Sequence, residues 1–395
     1  MKKRLLYVLL SLFSVCFFCS CESGTHSVHS EKNTGGNLNE ENAGGVGIPL
    51  KKQARNRIWV GPASLGTGGI REDYVDMLTD KSKWSTVFEK TSTTKLYIEF
   101  LYRASDDDLG RIAQFVKENE LAVAVEVGGI RIAPAGTQGH ELGVQAAKIE
   151  YAHLANFIRL GGHVNYITTD HSMSVNITGL TDYIPNFTLN YPDFTMQDYM
   201  VQQIEYFKYM QGKIPGLKCG AIESLGFFWV KGDKQYQATR PDLLRLDFEY
   251  YFSEYVRIAK AMDFELDHFH IDFGMHDVEH DGGGLGSPHY GRVIAVEQYV
   301  KSQGVKAGFI AANCFRDAAR YGPFGQPAND ADAADRSASE RTLEYFEKYM
   351  LAGGESDTLI FQRWQDYPRK IGDEHEPCSN FGIFKAMVES EWFPE

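Results

Sequence analysis

From residue 51 onward, short apolar runs of strand length alternate with longer amphipathic stretches. The short runs are 57–63, 95–101, 121–127, 164–170, 218–223, 268–273, 305–313 and 358–364, each of a length suited to a parallel strand. Between them lie stretches with helical periodicity at 106–119, 142–160, 198–212, 241–262, 292–303 and 339–351. Some carry start signals, with Ser105 before Asp106, Asp107 and Asp108, and Thr239 before Pro241. Eight strand-then-helix repeats predict an α/β fold, a closed (β/α)8 TIM barrel in one domain. An open doubly wound sheet would bring a glycine-rich first turn of defined spacing. Gly66-Thr67-Gly68-Gly69 lacks that spacing, and Gly282-Gly283-Gly284-Leu285-Gly286 also reads as a loop.

The residues before the barrel have a different pattern. Lys2, Lys3 and Arg4 precede an apolar run from Leu5 to Phe18, too short to span a bilayer as a helix and shaped like an export signal. Phe18-Cys19-Ser20-Cys21 resembles a bacterial lipobox, which implies lipidation at Cys21; Phe18 and Cys19 depart from the usual aliphatic and small residues. Residues 22–50 are rich in Gly, Asn, Ser and Glu, the composition of a flexible tether. The expected organisation is a signal peptide at 1–21, a linker at 22–50 and a barrel at 51–395. The expected location is the cell envelope, with a lipid anchor on the periplasmic side or at the cell surface.

Composition narrows the partners. The 395 residues carry a formal net charge of −13, which disfavours a polyanion such as nucleic acid. Outside the leader, Cys219, Cys314 and Cys378 are an odd set without zinc spacing, and the first two lie in or at the end of apolar runs.

Barrel active sites form where the strands end. In the third run Leu121, Val123, Val125 and Val127 share one face, so Ala122, Ala124 and Glu126 face the axis. In the sixth, Phe269, Ile271 and Phe273 alternate with His268, His270 and Asp272, which sends the polar set inward. The fifth groups Cys219, Ala221 and Glu223; the fourth ends at Asp170-His171; and the second offers Glu99 opposite Leu96, Ile98 and Phe100. The seventh ends at Asn313, and the eighth runs through Arg363, Trp364 and Asp366.

Carboxylates gathered on one ring push their pKa values apart, which is the condition for one to act as acid while another stays ionised. Glu223 and Asp272 are the first candidate pair, with Asp170 assisting. Glu126, Glu99, His171, Trp229, His270, Asn313, Arg363, Trp364 and Asp366 are candidates for holding substrate. Trp229, Trp364 and other loop aromatics suit the C–H faces of sugar rings. Any single carboxylate could instead pair with Arg363, Lys95 or a backbone donor. No cofactor is called for, and no metal is assigned, although His268, His270, Asp272, His276, Asp277, Glu279, His280 and Asp281 are rich in potential ligands.

In layout and acidic strand tips the domain resembles the glycoside hydrolase barrels of exported glycan-degrading systems. The resemblance implies paired-carboxylate hydrolysis of an oligo- or polysaccharide. It is architectural: no Asn-Glu-Pro ends the fourth strand, and Asn313 stands where a seventh-strand glutamate nucleophile would be. A metal-dependent sugar isomerase or epimerase and a non-catalytic glycan-binding lipoprotein are the alternatives.

Overall fold

The computed structural model describes residues 58–66, 69–134, 136–173, 194–224, 228–230, 246–272, 290–312, 331–363 and 367–393. Eight parallel strands close into a barrel: β1 (Ile58–Gly61), β2 (Thr91–Tyr97), β3 (Ala122–Val127), β4 (Tyr166–Asp170), β5 (Lys218–Ser224), β6 (His268–Asp272), β7 (Lys306–Ile310) and β8 (Thr358–Gln362). Neighbours in sequence are neighbours in the ring, and β8 pairs with β1 to close it. This is the (β/α)8 architecture read from the alternation.

The helices that matter for the site are α1 (Tyr74–Thr79), α2 (Ser85–Lys90), α3 (Ile98–Arg103), α4 (Asp106–Glu118), α5 (Leu142–Arg159), α6 (Met196–Lys213), α7 (Phe248–Ala261), α8 (Tyr290–Ser302), α9 (Ala331–Leu351) and α10 (Asn380–Val388). Start signals act as expected at α4, where the Ser105 hydroxyl accepts the Asp108 N–H and three aspartates occupy the positive first turn. At α6, Thr195 and Asp198 form a reciprocal capping box. Among the described residues no helix is long and apolar enough to cross a membrane.

The strands separate two apolar regions. Outside the ring, Leu96, Val123, Val125, Ile167, Cys219, Ala221, Phe269, Ile271 and Phe309 pack against the helices. Inside it, Trp59, Ala124, Tyr166, Ile222, Ile310 and Ile360 fill the axis. His268 and His270 share this interior, and each lies over a glycine of the adjacent strand. A Cβ on Gly220 would come within 2.3 Å of His268 Nε2, and one on Gly308 within 2.5 Å of His270 Cδ2. Two imidazoles fit inside the ring because these two positions carry no side chain.

Two expectations change. The second strand ends at Tyr97 and the chain turns at once into α3, so Glu99 lies in the first turn of a helix at the exposed rim. The Cys219, Ala221 and Glu223 face of β5 is the outer one. Glu223 pairs with outward Ile271, while Ile222 pairs with inward His270.

Candidate active site

The bowl at the strand tips is built from two clusters of charge. The first joins β4 to β6. Asp170 is the last residue of β4 and Asp272 the last of β6, and both continue the inward rows of their strands. His171 follows with φ 46°, a left-handed conformation that costs a residue with a side chain some energy. That turn brings its imidazole between the two carboxylates: Nδ1 is 2.6 Å from Asp170 Oδ1 and Nε2 is 3.4 Å from Asp272 Oδ2. From the loop after β3, Arg131 donates to Asp170 Oδ2 at 2.8 Å.

These neighbours separate the two aspartates electrostatically. Burial would raise Asp170, but His171 and Arg131 outweigh it and hold its carboxyl well below the usual range. Asp272 goes the other way. Burial, with Asp170 and Glu126 adding to it, pushes Asp272 up to about 7 despite the opposing pull of His171. His171 is lowered by burial but raised more by Asp170 and Asp272, and is pushed up to about 9. Near neutral pH the bowl therefore holds an ionised Asp170, a protonated His171 and an Asp272 poised between its two states.

The second cluster spans β2, β3 and β8. The fully buried Lys95 ammonium lies 2.6 Å from Glu126 Oε2. Gln362 donates to the same oxygen at 3.0 Å and accepts from Lys95. A buried charge pair survives only when its remaining donors and acceptors are met, and Gln362 meets both sides here. The expected ion pair for a tip carboxylate is thus found at Lys95.

The remaining candidates divide. Glu99 stands exposed at the rim, within electrostatic reach of Glu126, Arg131 and Asp170. His270 is wholly buried and held neutral, its pKa lowered well below 6.5 by burial and then by His268 and Lys95. Neither His270 ring nitrogen has a hydrogen-bond partner among the described residues. Glu223 is fully buried on the outer face, where Tyr251 of α7 donates to its Oε1 at 3.2 Å. Arg363 also turns away from the bowl: its guanidinium donates to Thr342 of α9 and to the Tyr367 carbonyl. Its own carbonyl accepts from Tyr97 at 2.7 Å. Asn313, Trp364, Asp366, Cys21 and the side chain of Trp229 lie outside what the structure describes.

Sequence reasoning missed Arg131. Its signal was modest: a lone charge between Ile130 and Ile132 in a glycine-led loop after an acidic strand tip. Among the described residues no group of three His, Cys, Asp or Glu side chains is arranged to hold a metal ion. His276, Asp277, Glu279, His280 and Asp281 lie outside those residues.

No protein-family model matches the chain, and no curated protein matches it. Solved structures do. A GH53 catalytic domain from Ignisphaera aggregans is 10% identical over 79% of this chain and 86% of its own, with a TM-score of 0.42. The catalytic domain of a β-amylase from Paenibacillus polymyxa is 10% identical over 86% and 99%, with a TM-score of 0.44. An HpcH/HpaI aldolase from Desulfitobacterium hafniense is 11% identical over 87% and 96%, with a TM-score of 0.33. Likeness of this degree, shared by enzymes of different chemistry, selects no reaction.

Proposed function

We propose that the protein is a glycoside hydrolase acting on an oligo- or polysaccharide, with Asp272 as the acid and Asp170 as its ionised partner. One observation carries this reading: two inward carboxylates share a single histidine, and their surroundings drive their protonation in opposite directions. Glycosidic cleavage requires that division, because a neutral acid must protonate the leaving oxygen while an anion supports the positive charge that develops at the anomeric carbon. In this scheme neutral Asp272 gives its proton to the leaving oxygen. Asp170, kept anionic by Arg131 and His171, supplies the negative field or draws a proton from water. Glu126, the member of the second cluster with accessible surface, offers a carboxylate fixed by Lys95 and Gln362 to a ring hydroxyl. Glu223 sits behind the bowl in this reading, where its bond from Tyr251 ties β5 to α7.

The test is release of reducing ends from a panel of oligosaccharides and polysaccharides. At least one glycan is cleaved by the wild type, and Asp272→Asn and Asp170→Asn each lower its turnover by about 100-fold or more. Binding without cleavage of any glycan, unchanged in both variants, would overturn the hydrolase and favour a carbohydrate-binding role. We also propose export and lipid anchoring at Cys21, on the strength of the basic start, the apolar run and the Ser20-Cys21 pair.

A further inference from the structure

Arg131 reaches Asp170 from a loop, and a loop holds a side chain in place only when something fixes its backbone. The loop after β3 starts with Gly128 and Gly129, and Gly129 has φ 64°, in the left-handed region. Both turn amides address one carboxylate. The Gly128 N–H donates to Glu150 Oε1 at 2.6 Å and the Gly129 N–H to Glu150 Oε2 at 3.2 Å. Oε2 also accepts the Tyr206 hydroxyl at 2.5 Å.

Glu150 comes from α5 and is 2% exposed; Tyr206 comes from α6 and is fully buried. The packing around the turn is close. A Cβ on Gly129 would stand 2.9 Å from both Gln203 Oε1 and Ser172 Cβ, and one on Gly128 would stand 2.4 Å from Ile132 Cγ2. Ser172 is the residue after His171, and its hydroxyl donates to Gln203. The loops after β3 and β4 therefore press on each other beside Glu150.

A buried carboxylate is costly; the two adjacent N–H groups and the phenol offset part of that cost, and burial still pushes the Glu150 carboxyl up to about 7. In return it satisfies two amides that would otherwise be buried without acceptors. Its charge also attracts Arg131, two residues beyond the turn. We propose that Glu150 is a positioning residue of the bowl: by accepting both amides of the Gly128–Gly129 turn, it holds the loop in the one register that presents Arg131 to Asp170. The charged and titratable groups around it are Tyr206, Arg131 and Glu99.

The test needs no substrate. Carbon-13 label on the aspartate carboxyls of the full chain, with the Asp170 signal identified through Asp170→Asn, follows the ionisation of Asp170 against pH. In the wild type Asp170 stays ionised to the lowest pH at which the fold persists. Arg131→Ala brings its midpoint up into the pH range where the fold persists, and Glu150→Ala brings it to a comparable pH. The double variant goes no further than Arg131→Ala alone, because both changes remove the same contact. Asp170 still ionised throughout in Glu150→Ala, or a double variant with a midpoint well above that of Arg131→Ala, would overturn the proposal. Should Glu150→Ala fail to fold, Tyr206→Phe removes one hydroxyl and gives a smaller shift in the same direction; no shift there counts against it.

Only the activity arm rests on the glycosidase reading. On a cleaved glycan, Glu150→Gln moves the acid limb of kcat toward neutral pH with KM little changed. A moved Asp170 midpoint in a protein that cleaves no glycan sinks the hydrolase and leaves this inference standing. Normal cleavage with Asp170 unmoved does the reverse.

Discussion

At the scale of single residues, the site depends on a histidine held between two acids. His171 has its pKa raised to about 9, so its favourable contribution is fully present below its unfolded value near 6.5 and is lost as pH rises through 9. Asp272, raised to about 7, adds a loss of the same sign between its unfolded value near 4 and pH 7. From about pH 7 to 9 the histidine is therefore the main contributor, with Asp272 finishing its titration at the lower edge. Denaturant unfolding across that range should show stability falling by about 2 kcal/mol in the wild type. A wild-type curve that is flat there would remove the charged imidazole from the account. Asp272 was legible because alternation put it on an inward row, and Asp170 because it stands at the tip of the fourth strand. Glu223 was misread for a physical reason. The interior of a small barrel is itself apolar, so Gly220, Ile222 and Ser224 carry no more polar signature than Cys219, Ala221 and Glu223, and polarity could not tell inside from outside.

At the scale of elements, strand register and packing put the charges where they meet. Gly308 leaves the space that His270 fills, and an added Cβ would also stand 2.8 Å from Ile360 Cδ1. Gly308→Ala should cost about 1–3 kcal/mol by overpacking, and His270→Ala in the same chain should recover much of it. Denaturant midpoints that simply add would show that the two positions do not compete for volume. A second element-level device joins distant parts of the chain. Buried Glu374 accepts the N–H groups of Thr86 at 3.0 Å and Val87 at 3.3 Å, capping α2 from a segment that follows β8. Glu374→Ala should cost about 2 kcal/mol, because it leaves buried amides without acceptors; an unchanged thermal midpoint would argue against the cap. Neither contact could be read in advance: the first depends on the register of two paired strands, and the second joins a segment after β8 to α2 near the start of the barrel. Glu99 was misplaced because Leu96, Ile98, Phe100 and Leu101 satisfy both a strand and a helix pattern over so short a run, and the chain takes the helix.

At the scale of the whole molecule, the eightfold alternation was enough to give the barrel, because a parallel strand must return through a helix and consecutive units fall side by side until the ring closes. The place of the bowl followed from that, while the partners within it came from the structure. The leader adds a prediction on the full chain: labelled fatty acid is incorporated in a bacterial host, and Cys21→Ser abolishes it. Label retained in that variant would exclude Cys21 as the anchor. The central claim is that Asp272 works as a neutral acid beside an ionised Asp170, and the pH dependence of kcat/KM for glycan cleavage tests it most directly. The account predicts a rate that falls as pH rises past about 7, and Asp272→Asn down by about 100-fold or more at the optimum. An Asp272→Asn variant that keeps both the wild-type rate and its alkaline limb would contradict it.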